Sequence, residues 1–172
     1  MADEAVTTLH AELVRFGEAE EGIALLETFL EVVAPWIGPV VLDPRELWLP
    51  HELTADRAVV QGLIEEINSA AEPKRGLLTV AERTFDMADE QARWDFTRLA
   101  YCSSAATVWS RGRRTTFFEH HRSGAQHDSA SYWLPDSVKA AYFEGIAAKG
   151  WEVPAGWLGA VAKRPKPWWR RF

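Results

Sequence analysis

Tryptophan is the residue that most constrains how this chain can fold, because nine occur among its 172 residues. Each indole buries a large apolar area, carries one N–H donor that needs a partner, and is favoured at the centres of binding interfaces. Four of the nine lie in the last 22 residues. The nine are Trp36, Trp48, Trp94, Trp109, Trp133, Trp151, Trp157, Trp168 and Trp169. This abundance predicts a protein that holds another molecule, and no motif indicates which molecule.

Length and composition predict one domain. A chain of 172 residues, 47% of them hydrophobic, can bury about 70% of the surface that its unfolded state exposes. The only cysteine, Cys102, cannot form an internal disulfide, and the sequence contains neither a signal-peptide pattern nor a run of about 18 apolar residues. We expect a soluble cytoplasmic protein in which residues 1–162 form a single globular domain and residues 163–172 form a basic tail.

Charge is unevenly distributed along the chain, whose net charge is −6. Residues 1–34 carry eight acidic residues and one basic residue, whereas residues 163–172 carry five basic residues and no acidic one. An acidic body argues against nucleic-acid binding, because contacts to phosphates need a basic surface. It suits a basic protein partner, since complementary charge speeds encounter and helps to select partners.

A second cluster of positive charge lies around the first strand of a predicted hairpin. It consists of Arg111, Arg113, Arg114 and Arg122, beside Phe117 and Phe118. Arginines next to aromatic residues can clamp phosphates or stack on bases, but four arginines on an acidic molecule are a weak basis for nucleic-acid binding. We expect them to pair with acidic residues of the N-terminal segment.

The spacing of apolar residues predicts an α+β fold, a helix-dominated single domain with a small antiparallel hairpin or sheet, and an all-α fold is the alternative. Apolar residues recur every three or four positions through residues 6–33, which indicates one or two helices. Four prolines between residues 35 and 50 indicate a connecting segment. Further helices are expected over residues 53–71, with Thr54 as the N-cap, and over residues 135–150. Residues 88–109 are also expected to form a helix, and a strand is the alternative there. A short strand is expected within 77–87, and a hairpin pairs 115–121 with 129–134.

The densest group of ionisable residues lies in this hairpin and its loop. It comprises Glu119, His120, His121, His127 and Asp128. A histidine from each strand could share one face and perform acid–base chemistry, so His120, His127 and Asp128 are the catalytic candidates. His120 and His121 alternate across the strand, so only one of them can join His127. No zinc-binding spacing occurs, so we predict no metal and no cofactor, and the simpler interpretation is a polar hairpin with exposed histidines.

The C-terminal residues Trp168, Trp169, Arg170, Arg171 and Phe172 resemble short Trp/Arg-rich interfacial peptides, including some antimicrobial ones. In such peptides the indoles lie at the level of the lipid headgroups and the guanidinium groups meet the phosphates. Three bulky aromatic residues would be costly to expose to solvent, so we expect the tail to dock in one of three ways. It folds back on the domain, binds a partner protein, or contacts a membrane.

These observations lead to one functional hypothesis and two alternatives. We expect a non-catalytic binding protein, specifically an immunity or antitoxin-type inhibitor of a basic protein such as a toxin. The alternatives are a small enzyme or ligand-binding domain that uses the His/Asp group, and a peripheral membrane adaptor that uses the tail. Trp94, Trp109 and Trp133 are expected to fill the core. The predicted partner-binding residues are Trp151, Trp157, Trp168, Trp169, Arg170 and Arg171.

Overall fold

A computed structural model describes residues 5–12, 19–51, 53–69, 83–111, 116–123 and 127–160. Within these ranges, six strands form one antiparallel sheet in the order β1-β6-β5-β4-β2-β3. The strands are β1 (Val6–Glu12), β2 (Ile37–Leu47), β3 (Arg83–Phe85), β4 (Ser103–Ser110), β5 (Thr116–Ser123) and β6 (His127–Pro135). The helices are α1 (Ala19–Val33), α2 (Arg57–Ser69), α3 (Glu90–Tyr101), α4 (Lys139–Ala148) and α5 (Ala155–Leu158).

The predicted fold class is therefore wrong. The domain is a mixed α+β structure built on a six-stranded sheet, not a helix-dominated domain with a small hairpin, and the all-α alternative is wrong as well. The difference arises in three stretches that form strands where helix or loop was expected, namely residues 6–12, 37–47 and 103–110.

Strand β1 lies where the apolar spacing predicts helix. Thr7, Leu9 and Ala11 are buried, whereas Thr8 and His10 between them are exposed. This is a two-residue alternation, and the two adjacent threonines are β-branched residues that favour strands. The apolar residues of this segment also recur every three or four positions, which is the helical spacing. A short apolar segment can fit both the helical and the strand period, so the spacing alone did not distinguish them.

Strand β2 contains two prolines and still lies inside the sheet, between β3 and β4. Its register with β4 shifts twice, and Pro39 lies within the first shift and Pro44 within the second. A bulge removes the need for a backbone N–H donor, so proline is tolerated there. Gly38 lies in the first bulge, where an added Cβ would be 2.4 Å from the carbonyl oxygen of Ser110. The backbones approach so closely that only glycine fits.

The ambiguous stretch 88–109 contains both predicted elements in succession. Helix α3 begins after Asp89, whose carboxylate accepts a hydrogen bond of 2.8 Å from the Gln91 N–H, as an N-cap residue does. The helix ends at Tyr101, and β4 starts two residues later, at Ser103. The expected helix start is confirmed, and the strand alternative is correct for the second half.

The other predicted elements are mostly confirmed. Strands β5 and β6 pair as an antiparallel hairpin, β3 lies within 77–87, and helix α4 ends near Gly150, which has a φ of +85°. Residues 77–82 and the tail at 163–172 lie outside the described ranges. Helix α2 buries Val60, Ile64 and Ile67 as expected.

Thr54 does not cap α2, which begins three residues later. Its backbone N–H and its hydroxyl donate to the Glu20 carboxylate at 3.2 and 3.1 Å, and the Ala55 N–H donates to the same oxygen at 2.9 Å. Burial raises the pKa of this carboxyl, but the hydrogen bonds outweigh burial, so the pKa of Glu20 lies below its ordinary value. Glu20 thereby ties the start of α1 to the segment that leads into α2.

The helices pack on one face of the sheet. On that face the buried strand residues are aligned in register across the strands, as with Leu9 opposite Tyr132 and Tyr132 opposite Phe118. Helix α1 is the central helix, in contact with α3 on one side and α4 on the other. Residues on the second face of the sheet alternate with the buried ones and are mostly exposed or half-buried.

Five aromatic side chains form the centre of the core. The ring of Tyr132 lies 5.2 Å from Phe29, 5.1 Å from Phe118 and 5.5 Å from Trp157, measured between ring centroids. Tyr142 stacks on Trp157 at 6.0 Å. Because these residues come from α1, β5, β6, α4 and α5, the cluster joins elements from most of the chain. We refer to it as the aromatic cluster.

Two polar atoms of the aromatic cluster are satisfied inside the core. The Tyr142 hydroxyl donates to the carbonyl oxygen of Leu25 at 3.1 Å, and the Trp157 Nε1–H donates to that of His10 at 2.8 Å. The first bond links α4 to α1, and the second links α5 to β1. Buried aromatic residues with polar groups need such partners, because an unmade hydrogen bond in the core is costly.

Helices α1 and α4 approach closely at Gly145, where an added Cβ would lie 2.6 Å from Cγ2 of Thr28. The Thr28 hydroxyl donates to the Ala24 carbonyl oxygen at 2.8 Å, which holds its rotamer. We expect Gly145→Ala to lower the free energy of unfolding by about 1 kcal/mol, because overpacking outweighs the gain in helix propensity. Urea unfolding checks this. Gly62→Ala in α2, where nothing lies within 4 Å, is the matched control and should raise it by about 0.5–1 kcal/mol. Changes of the same sign would contradict the close approach.

Burial raises the pKa of the Tyr132 hydroxyl, and burial together with the neighbouring Tyr132 raises that of Tyr142. An unfolded tyrosine loses its proton near pH 10, whereas the folded one keeps it, so the unfolded state binds fewer protons above that pH. The contribution of these two tyrosines to the free energy of unfolding should be constant below pH ~10, and above it the free energy should fall by about 1.4 kcal/mol per pH unit for each tyrosine.

Urea unfolding between pH 8 and 11.5 measures this slope. In Tyr142→Phe the slope should fall by roughly half, because one of the two groups is gone. An unchanged slope in the variant would show that other groups cause the alkaline loss of stability.

Candidate functional site: a cleft between α1 and α3

The strand register separates the residues predicted to be catalytic. His120 is buried on the helix-covered face, opposite Ala130 on β6 and Ala106 on β4. Because residues alternate along a strand, position 128 shares the face of Ala130 and position 127 belongs to the other face. The side chains of His127 and Asp128 lie outside the described part of the structure.

The structure shows where the predicted partner-binding residues lie. Trp157 is 3% exposed and belongs to the aromatic cluster. Trp151 is half-buried and packs against the core. The other four, Trp168, Trp169, Arg170 and Arg171, lie outside the described residues.

The three tryptophans expected to fill the core lie nearer the surface. Trp109 on β4 and Trp133 on β6 are half-buried, and they lie on the second face of the sheet, away from the helices. Trp94 on α3 is half-buried and lines a cleft. Indoles that reach the surface are thus distributed over the sheet and over α3.

The second face of the sheet carries a polar row. One residue from each strand stands opposite the next, in the order His10, Ser131, Glu119, Thr107, Val41 and Thr84. The Nδ1 atom of His10 lies 2.9 Å from the Ser131 Oγ. This pair is exposed, and such a flat polar surface with scattered indoles is ordinary for an antiparallel sheet that faces solvent.

The described chain contains a cleft of about 800 Å³. It lies between the second half of α1, the start of β2, the β3–α3 connection and α3; we call it the α1–α3 cleft. Sites for small ligands and inserted side chains have this size. The apolar part of its lining consists of Leu30, Ile37, Phe85, Met87 and Trp94.

Charged groups surround this apolar lining. Four carboxylates and two guanidinium groups line the cleft, so the charge of the lining is negative at neutral pH. The carboxylates are Glu27, Glu31, Asp86 and Glu90, and the guanidinium groups belong to Arg93 and Arg111. Arg111 lines the same cleft as two glutamates of α1, and its expected pairing with acidic residues stays a prediction.

One wall of the cleft is stabilised by Arg98 of α3. Its guanidinium carbon lies 4.3 Å from the centre of the Trp94 ring, and its Nη1 donates to Glu27 and, at 3.0 Å, to the Thr97 hydroxyl. The Arg98 side chain is 14% exposed. A guanidinium stacked on an indole and bonded to a carboxylate is a strong arrangement when it is withdrawn from water.

Lys149, which directly follows α4, forms ion pairs with Glu27 and Glu31. Its Nζ lies 2.9 Å from a Glu31 oxygen and 3.5 Å from a Glu27 oxygen. Glu31 nevertheless keeps 58% of its side chain exposed, so this pair is mostly solvated. Glu31 is therefore accessible to a molecule in the cleft.

The cleft combines residues that are distant in sequence, which is why sequence reasoning missed it. The acidic N-terminal segment was visible, and the spacing of Glu27 and Glu31 places both on one stripe of a helix. Nothing in the sequence indicates that Asp86, Glu90 and Trp94 would face this stripe. That placement follows from the packing of α1 against α3.

Two further absences concern the described ranges alone. No group of three or more His, Cys, Asp or Glu side chains there could hold a metal ion. None of the helices there is both long and apolar enough to cross a membrane.

No family model, curated protein or solved structure matches this chain.

The Arg98 arrangement makes a prediction about stability. We expect Arg98→Met, which keeps the apolar stem but removes the guanidinium, to lower the free energy of unfolding by about 1–2 kcal/mol, because the part-buried Glu27 loses a partner. Lys149→Met should change it by at most about 0.5 kcal/mol, since that pair is solvated. Urea unfolding measures both. Equal losses in the two variants would contradict the difference in burial.

Proposed function

We propose that this protein is a non-catalytic binding protein of the immunity or antitoxin-inhibitor type, and that it binds a basic protein partner through the α1–α3 cleft. The observation that carries this proposal is the cleft lining, in which four carboxylates and two guanidinium groups surround an apolar floor that includes Trp94. Protein interfaces obtain most of their affinity from such part-buried aromatic anchors.

The charge of α1 supports a basic partner. Glu20, Glu27 and Glu31 recur at spacings of seven and four residues, so they follow one stripe of the helix. The cleft lies at the end of this stripe. A line of carboxylates that leads to a concave site raises the rate at which a basic partner arrives, and this effect weakens as salt is added.

The cleft also fits the mechanism by which a small inhibitor acts. An inhibitor of this type needs no reacting group of its own, because it works by occupying a functional surface of its partner. The apolar floor and the charged rim provide an anchor region surrounded by polar groups, which is the usual arrangement of a binding interface. The tail residues Trp168, Trp169, Arg170 and Arg171 stay a separate prediction of partner binding.

The two alternatives stay predictions without a supporting observation in the described residues. The enzyme alternative depends on His120, His127 and Asp128, and the side chains of His127 and Asp128 lie outside the described part of the structure. The membrane-adaptor alternative depends on the tail at 163–172, which lies outside the described ranges.

A charge-reversal experiment tests the proposal. Glu31→Lys/Glu90→Lys reverses two exposed carboxylates of the cleft, and Glu144→Lys/Glu152→Lys reverses two exposed carboxylates elsewhere, with the same change in net charge. Tagged wild-type protein and both variants are used to capture partners from the native organism, and any captured protein is purified and recombined with each form. Thermal unfolding confirms that all three are folded.

We expect one basic protein to form a 1:1 complex with the wild type and with the control, and to lose its own activity in that complex. The cleft variant should bind it at least about tenfold more weakly, a loss of about 1.4 kcal/mol. Affinity for the wild type should fall with added salt. Equal binding by both variants would contradict a role for the cleft, and a captured partner that is acidic or keeps its activity would contradict the inhibitor function.

A further inference from the structure

One wall of the α1–α3 cleft binds a guanidinium group of the protein itself. Arg98 belongs to the protein itself, and its guanidinium group lies over Trp94 and bonds to Glu27 and Thr97. Indole, carboxylate and hydroxyl are here arranged around a planar cation. A compact ammonium group could use the carboxylate but would gain less from stacking on the indole.

We infer that the cleft binds an arginine side chain presented by the basic partner; this inference rests on the proposed function. Besides Glu27, which bonds to Arg98, the lining includes Glu31, which bonds to Lys149 but stays 58% exposed, and the exposed Asp86 and Glu90. These carboxylates provide acceptors for the five N–H donors of a guanidinium, which forms paired bonds with a carboxylate. Lysine offers a point charge that cannot make this paired geometry.

The apolar lining suits the rest of an arginine side chain. The cleft is lined by the apolar residues Leu30, Phe85 and Met87 as well as by the acidic residues Glu31 and Asp86. An arginine has an apolar stem of three methylene groups below its charged head. The stem can contact the apolar residues while the head reaches the carboxylates. With about 800 Å³ the cleft has room for this side chain and its flanking backbone.

The two arginines of the lining do not remove this preference. Nη1 of Arg93 donates to the carbonyl oxygen of Met87 at 2.7 Å, so its guanidinium is held against the β3–α3 connection. Arg111 is exposed at the end of β4. Within the lining, four carboxylates outnumber these two guanidinium groups. Arg98 and Lys149 bond to Glu27 and Glu31 from outside the lining, so the preference for a cation over an anionic ligand such as a phosphate rests on Asp86 and Glu90.

Three peptides that differ in one side chain test the inference. Each is acetylated, amidated and five residues long, with four glycines around a central arginine, lysine or citrulline. Citrulline has nearly the shape of arginine and no charge. Binding to full-length protein is followed by NMR, through the indole N–H signals, with the Trp94 signal assigned from Trp94→Phe. The glycines contribute no side chain, so any difference arises from the central residue.

We expect the arginine peptide to shift the Trp94 signal in a saturable manner. The lysine peptide should bind at least threefold more weakly, and the citrulline peptide should give no saturable shift. Glu90→Gln should weaken binding of the arginine peptide at least threefold, because it removes one charged acceptor of the rim. Glu144→Gln, which changes an exposed glutamate on α4, should leave it unchanged.

The inference is overturned if arginine and lysine peptides bind equally, if the citrulline peptide matches the arginine peptide, or if the Trp94 signal stays still while others shift. Its failure differs from failure of the proposed function. If the captured partner depends on Glu31 and Glu90 but the peptides do not distinguish arginine from lysine, only the arginine preference fails. If charge reversal of the cleft has no effect on the partner, the proposed function fails as well.

Discussion

The position of α1 on the sheet depends on one packing interaction, the contact of Phe29 with Tyr132 and Tyr142 in the aromatic cluster. A helix surrounded on several sides cannot rotate or slide without opening a cavity, because protein interiors are close-packed. Tyr142 adds a hydrogen bond to the backbone of α1. The face of α1 that carries Phe29 is thereby fixed, and so is the stripe that carries Glu27 and Glu31. The geometry of the cleft is thus determined by the core on the other side of the helix.

Part of the fold could be predicted from the sequence, and the errors have physical causes. The hairpin of β5 and β6 and the buried faces of α2 and α4 follow from local patterns that no distant residue alters. Strand β2 could not be predicted, since its two prolines are tolerated only because bulges in the pairing with β4 remove the demand for their N–H donors. Those bulges are a property of two strands that are far apart in sequence.

The candidate site was less predictable than the fold. The acidic residues of α1 could be counted, but their importance depends on Trp94 and Glu90 of another helix, which tertiary packing brings to the same cleft. For the tryptophans, the sequence indicated a functional role more strongly than the structure supports. Trp157 was predicted to bind a partner because its segment is rich in glycine and proline, yet a four-residue helix is enough to insert it into the core. Local composition therefore gave the wrong depth for a residue whose environment is entirely non-local.

Insertion of Trp157 has a consequence for how other chains can approach. Among the described residues, strand β1 is an edge of the sheet, and the outward backbone groups of an edge strand ordinarily allow another strand to pair with it. The indole of Trp157 uses the carbonyl oxygen of His10 on that edge as its acceptor. A strand that adds along β1 would have to displace a buried side chain and leave its donor unsatisfied. The core residue thus makes the pairing of a further strand with β1 costly at His10.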